Sequence, residues 1–578
     1  MHLLQSSTCS IYINGSEHQP TSDKIYRGDH FYIDLNHELD DGAYTRTQLN
    51  LHVKEELILN KVEIRVDLKD LELQSMLCNG FQTWSGTKYY EPSENIPSLH
   101  PLAKPLFKYY GDYHMNSPFI SDHHLHSWTF TRLQFKFIQN ELFLASNNDQ
   151  LAYTLFAYCK KSKQLIITKE LNNFPIKNSY PLFDIISGMN NGIQQTGSWE
   201  SLNKYPNDHK ENTLQSAWTS WYKYQQNITS TTLNKELDQL EEQVKPDLFQ
   251  IDDGYQTHIG DWLSFKDSLK TNLKPISMRI KNMGMTAGIW LAPFVVEPKS
   301  ALFKEHNDWI VKDQSGKPIK VGYNGVWKCW YYALDIYNTA VQNYLLKVFH
   351  SLKNEFNFEF FKLDFLFAAC INPPKGVSRA QAMTFGMEFL KRATQGATLL
   401  SCGIPLASSF GIADISRVGP DTHLKWDFPL LKHLGKRERP SNLMALHTII
   451  CRYPFRNFSA LDPDVYILRL NNKSEGLDLT YDQKRTHVLI ASLFGDVQFT
   501  SDTVSDYKSQ QKEILTEAES LKKCAIKSIR RLQNDCYKVG TEDIALYVNL
   551  GGQAKKISFK GHIFSLEAYC TKIFHLDQ

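Results

Sequence analysis

The sequence predicts a (β/α)8 barrel flanked by a large N-terminal β-sandwich and a small C-terminal antiparallel β domain. Three observations predict it. Up to about residue 205 apolar and polar positions alternate as in half-buried strands; buried-strand runs then alternate with helical spacing; short alternating runs return near the end. The chain has 578 residues, beyond the roughly 250–300 at which one hydrophobic core stops growing, so several domains are expected.

In residues 1–207, Val62, Ile64, Val66 and Leu68 alternate with charged neighbours, and Leu133, Phe135 and Phe137 alternate with Arg132, Gln134 and Lys136. Turns at Asn147-Asn148-Asp149 and Met189-Asn190-Asn191-Gly192 separate the strands, and no helical period interrupts them. The rhythm changes in residues 208–505. SAWTSWY is followed by Leu233, Leu237, Leu240 and Val244 at helical spacing, then Pro246, then Leu248-Phe249-Gln250-Ile251, which makes a β-α-β unit. Buried-strand runs recur at Ala287 to Leu291, Phe358 to Phe365, TLLSCG and ADISRVG, and Val341, Leu345, Val348 and Leu352 mark a helix. No Gly-rich phosphate fingerprint follows the first strand, which favours a barrel over an open sheet. About a dozen residues separate TLLSCG from ADISRVG, too few for a helical crossover; the barrel is imperfect there or one strand is misassigned. Residues 506–578 hold a helix over Ile514, Leu515, Ala518, Leu521, Ile526 and Ile529, then the strand Ile544 to Val548 and a Gly551-Gly552 turn.

Composition narrows the function. With 64 Lys+Arg against 62 Asp+Glu the net charge is +2, so no global field draws the chain to nucleic acid or to an anionic membrane surface. No run approaches the ~18 apolar residues of a membrane span, and the N-terminus lacks the basic and apolar segments of a secretory signal. A cytoplasmic protein is expected. Ten cysteines without a CxxC pair fit free thiols. His114, His123, His124 and His126 crowd one region, but no Cys or carboxylate spacing completes a metal site there. Aromatic residues make up 12% of the chain, enough for a sugar-stacking surface or a large β-rich core. The sequence leaves a homo-oligomer open.

In such a barrel the strands' carboxyl ends line the functional mouth. Three strands end in charge. Phe249-Gln250-Ile251 runs into Asp252-Asp253-Gly254, two adjacent acceptors suited to sugar hydroxyls, or a solvated turn. Lys362 and Asp364 lie two apart in an aromatic run, so they face the same way; the cation would keep Asp364 ionised as a nucleophile, or the two form a structural ion pair. Arg417 and Asp421 flank a Gly-Pro turn, offering a forked donor and a second carboxyl able to protonate a leaving oxygen, or a plain loop clamp. Two carboxyls across a sugar are the equipment for glycoside cleavage. Trp218, Trp221, Trp290 and Trp84 stand where walls would be needed, although a tryptophan is more often core.

Together IDDGY, KLDF, RVGPDT, NGFQTWS, AWTSWY and GIWLAPF resemble, in order and over nearly the whole chain, the retaining α-galactosidases of glycoside hydrolase family 36, in the melibiase clan. The resemblance implies a β-supersandwich, a barrel and a small β domain, with no cofactor needed; a metal bound by Asp252, Asp253 and Asp364 is an alternative that the interposed Lys362 weakens. The resemblance makes Asp364 the nucleophile and Asp421 the acid/base. It gives Asp252 and Asp253 the galactose 4- and 6-hydroxyls, Lys362 the 3- and 4-hydroxyls and Arg417 the 2- or 3-hydroxyl. Trp221, Trp218, Trp84 and Trp290 would wall the pocket, with Cys402-Gly403 near the 2-position. The substrate implied is a small α-galactoside such as melibiose or a raffinose-type sugar. An α-N-acetylgalactosaminidase, a galactosyl-transferring relative and a non-catalytic glycan-binding protein remain alternatives. Phe494-Gly495-Asp496 departs from the family's Gly-Gly pair, and His423, Lys425 and Trp426 alter the leaving-group side.

Overall fold

The computed structural model describes residues 9–19, 25–39, 44–115, 123–190, 214–559 and 561–576. The expected boundary at 207/208 and part of the Met189–Gly192 turn lie outside the described residues. The N-terminal part consists of two antiparallel sheets, one of six strands and one of eight. Period-2 alternation is the cause: Val62, Ile64 and Val66 of strand Leu57–Asp67 turn inward to meet Leu133, Leu142 and Leu144 of the other sheet in one core. Phe137 breaks the expected alternation. It has a φ of 65°, follows the end of its strand at Phe135 and is 99% exposed.

Next come nine short parallel strands: β1 (Ser216–Thr219), β2 (Leu248–Ile251), β3 (Thr286–Leu291), β4 (Phe360–Leu363), β5 (Thr398–Ser401), β6 (Ile415–Arg417), β7 (Ala460–Asp462), β8 (Val465–Tyr466) and β9 (Gln498–Thr500). They form one curled sheet in the order β7-β6-β5-β4-β3-β2-β1-β9-β8. Its edge strands β7 and β8 are separated in the chain by Pro463 and Asp464 alone. Pro463 has no N–H to donate, and Asp464 takes a φ of 74°, so the ladder is interrupted at that point. Strands β2 and β4 are buried on both faces, which is why they read as continuous apolar runs.

Helices cross between most of these strands. Thr229, Ser378 and Thr480 begin three of them with reciprocal capping boxes. Helix Thr339–His350 buries Val341, Leu345 and Val348, the spacing seen in the sequence. Helix Ser230–Leu240 ends before Val244, which is 94% exposed. Between β5 and β6 the crossover is the 3-10 turn Leu406–Ser409, so both strands are real and the connection is the irregular part.

Helix Ser509–Lys522 leads into a four-stranded antiparallel sheet, Ser528–Gln533, Cys536–Gly540, Ile544–Asn549 and Thr571–His575, with the hairpin Lys555–Phe559/His562–Leu566 beside it. Ile526 and Ile529, expected on the helix, lie past its end; Ile529 is a strand residue, and both pack in the core that joins this sheet to helices Asn442–Arg452 and Tyr481–Phe494. Among the described residues no helix is long and apolar enough to cross a membrane.

Candidate active site

The carboxyl ends of the parallel strands open into a cavity of about 390 Å³ lined by Asp252, Asp253, Lys362, Asp364 and Asp421 with Trp84, Trp221 and Trp290. These residues follow β1, β2, β4 and β6 or sit within β3 and β4, except Trp84, which the sandwich supplies. Alternating strands and helices send every strand the same way, so all these ends meet on one side of the sheet.

Asp252 and Asp253 leave β2 in a turn that only glycine can complete. Gly254 has a φ of 123°, and a Cβ there would lie 2.7 Å from the Gln226 Cα. Asp252 accepts from Lys362 Nζ at 2.8 Å and from Gln250 Nε2 at 2.9 Å. Among the described residues no cation forms an ion pair with Asp253, although the charge of Lys266 reaches it. Gln256 Nε2 donates to it at 2.6 Å and Trp327 Nε1 at 2.8 Å. Burial nevertheless wins, and the Asp253 carboxyl is pushed up to about 6.

The expected Lys362–Asp364 pair does not form. Strand β4 stops at Leu363, so Asp364 leaves the pleat while Lys362 turns to Asp252. Burial lowers the basicity of Lys362, but Asp252 and then Asp364 more than offset it, and the ammonium is held charged. Asp364 instead accepts from Trp290 Nε1 and from the Phe365 N–H, each at 3.0 Å. Phe365, immediately after it, adopts a left-handed φ of 54°, an uncommon conformation for a bulky side chain, right beside the carboxylate.

Arg417 stands behind the cavity and is not among its lining residues. Its fork binds Asp462 at 2.8 Å, Asp464 at 2.7 Å and Asp421 at 3.2 Å. The clamp reading is thus what the geometry displays. Asp421 faces the opening with its side chain 43% exposed, so it loses water to the narrow walls and not to close packing. That loss, with Asp464 and Asp364 adding to it and Arg417 opposing, pushes the Asp421 carboxyl up to about 7.

Trp84 is delivered by the loop after the sandwich strand Leu73–Cys78; it packs on Phe365 at 5.0 Å and donates from Nε1 to Cys402 Sγ at 3.2 Å. Gly403 permits this approach, because a Cβ there would meet Trp84 at 2.9 Å. Cys402 and Gly403 therefore lie behind Trp84 and not on the cavity wall. Trp218 does not wall the pocket either. It points from β1 into the core, 2% exposed and stacked on Phe249 at 4.3 Å. The sequence reading missed Tyr110, Trp327, Lys436 and Glu438, all on the wall. Their only signal in the chain is an aromatic and charged character with no strand end to place it. Of the clustered histidines, His126 pairs with buried Asp112 at 2.9 Å.

An acid-lined cavity at the strand ends of a parallel sheet, closed on one side by a sandwich loop, defines an architecture suited to a small polyhydroxy ligand. Comparison with known proteins narrows it. Residues 203–375 match the Melibiase family model, and the resemblance drawn from the motifs is borne out. An α-galactosidase of Escherichia coli is 29% identical over 123 residues, 20% of this chain and 16% of that protein. α-Galactosidase AgaA of Geobacillus stearothermophilus is 29% identical over 70 residues, 11% of this chain and 10% of the relative. The aligned stretches thus span less than a fifth of either relative's length. The α-galactosidase TtGalA from Thermus thermophilus, solved with p-nitrophenyl α-D-galactopyranoside, superposes with a TM-score of 0.70 at 22% identity. The superposition covers 92% of this chain and 97% of that one. AgaA from G. stearothermophilus gives 0.63 at 11% identity over 96% and 83%. At these identities the likeness is one of fold.

Proposed function

We propose that the chain is a retaining α-galactosidase, removing terminal α-linked galactose from sugars such as melibiose or raffinose by double displacement. Asp364 attacks the anomeric carbon while Asp421 protonates the departing oxygen; Asp421 then draws a proton from water, which attacks the same carbon and frees galactose with net retention. Asp252, Asp253 and Lys362 take the galactose hydroxyls, and Trp84, Trp221 and Trp290 enclose the ring. Arg417 acts one layer back, orienting Asp421. The observation carrying this reading is that Asp364 and an Asp421 with a raised pKa line one cavity beside the Asp252–Lys362 pair. The names of the relatives and the family match support the substrate.

In the same proposal the curled sheet is a (β/α)8 barrel whose seventh strand is broken into β7 and β8 at Pro463-Asp464, and the chain divides into residues 1–207, 208–505 and 506–578. A cytoplasmic location is supported by nine cysteines that stand free among the described residues. The test is direct. NMR of the first-formed sugar from phenyl α-galactoside is expected to give the α-anomer. Asp364→Gly is expected to abolish turnover, with azide restoring it as the β-galactosyl azide; a β-anomer as first product, or an active glycine variant, overturns the assignment.

A further inference from the structure

We infer that Lys436 is a specificity-determining residue for the leaving group, its ammonium donating to the oxygens of a saccharide aglycone. This rests on the galactosidase reading and narrows its substrate class. Residues 421–442 form one wall. Their ends are tied by Ser441 N–H donating to the Asp421 carbonyl at 2.7 Å and by Asn442 Nδ2 donating to the carbonyls of His423 and Lys425 at 2.6 and 2.8 Å. Arg439 braces the middle through a forked pair with Asp427 at 2.8 and 3.0 Å, and donates to the Lys436 carbonyl at 3.3 Å. The segment that presents the proposed proton donor therefore also presents Lys436, near enough for the Asp421 charge to act on the ammonium.

Lys436 is 6% exposed and lines the cavity. Its Nζ lies over the rings of Phe107 at 4.1 Å and Tyr110 at 4.4 Å. Among the described residues no carboxylate comes within 4.0 Å of it and no acceptor is in hydrogen-bond reach, whereas Lys362 in the same cavity is held by Asp252 at 2.8 Å. Aromatic faces steady the charge and leave its three N–H donors turned to the cavity, where the oxygens of an entering sugar can accept from them. Burial accordingly lowers the Lys436 pKa to about 8. Two residues on, Glu438 shares the wall; Oε1 accepts from Ser85 at 2.5 Å, while Oε2 is buried without a partner. A donor beside an acceptor suits hydroxyls, which do both. With Asp421 and Glu438 nearby, a phosphate or carboxylate would be repelled, and an apolar aglycone would leave Lys436 unmet.

The experiment compares kcat/KM for raffinose and for phenyl α-galactoside in the full chain and in Lys436→Met, with the inhibition constant for galactose as a check on the galactose half. The expected result is a loss of about tenfold or more on raffinose, in line with one lost charge-assisted hydrogen bond, less than about threefold on the phenyl galactoside, and an unchanged galactose constant. Lys436→Arg should retain the sugar preference. Equal losses on both substrates, or none on raffinose, overturn the inference. Should Lys436→Met fail to fold by circular dichroism, Lys436→Gln, too short to span the same distance, is read the same way. A folded parent chain inert toward both substrates sinks the galactosidase reading itself, and this inference with it.

Discussion

Two aspartates with the same side chain behave differently because of what each touches. Asp364 accepts from an indole and a backbone N–H, whereas Asp421 lies within the cavity walls with two other carboxylates in its field. A group raised to about 7 is protonated below that pH and loses its proton above it. Hydrolysis is therefore expected to fall as pH rises through about 7, and a kcat/KM profile checks this. Asp421→Asn should flatten the alkaline limb and lose far more on raffinose, whose leaving sugar needs the proton, than on an activated aryl galactoside. An alkaline limb surviving unchanged in that variant would assign the proton to another group.

At the scale of elements, the loop 79–87 matters more than its length suggests. It brings Trp84 from the sandwich to the cavity, and Arg452, at the end of helix Asn442–Arg452, holds it there. The guanidinium is fully buried and faces no carboxylate among the described residues. It donates to Asn79 Oδ1 at 2.8 Å and to the carbonyls of Thr83, Ser85, Gln82 and Gly80 at 2.7 to 3.3 Å, and it reaches Val418 of RVGPD at 2.6 Å. One side chain thus couples the loop to the segment bearing Asp421. Thr83 adds a second tie, its Oγ1 accepting from the Gly403 N–H at 2.8 Å. Arg452→Lys keeps the charge but loses the fork. Each carbonyl left unpaired costs ~1–3 kcal/mol, so a lower melting temperature and weaker galactose protection against heat are expected together. A variant that melts early yet binds galactose normally would show that Arg452 serves stability alone.

For the whole molecule, the sandwich is part of the site: Trp84, Phe107 and Tyr110 all come from it, and Tyr110 stacks on Trp84 at 5.9 Å. A chain beginning at Leu214 lacks that wall and exposes the apolar surface beneath it. It is expected to bind no galactose by calorimetry; a soluble fragment with full affinity would place the binding energy in the parallel sheet alone. The order of architectures was legible in the chain because each periodicity reports a local choice, two residues per repeat in the sandwich and 3.6 in the crossovers. Strand ends carrying acids were legible for the same reason: the Asp252-Asp253 pair and Asp364 each come at the end of a largely apolar run. What lies two layers from the chain's own neighbours was not. Lys362 pairs with a residue 110 positions away, Arg417 is taken up by carboxylates 45 and 47 positions on, and Trp218 turns to the core because its pleat does. The sequence by itself determined the elements and which of them end in acids, since backbone geometry and apolar period act within a few residues. Only the tertiary structure decided which acid meets which base, and that Lys436 joins them, because such pairings are made through space between segments that no local period connects.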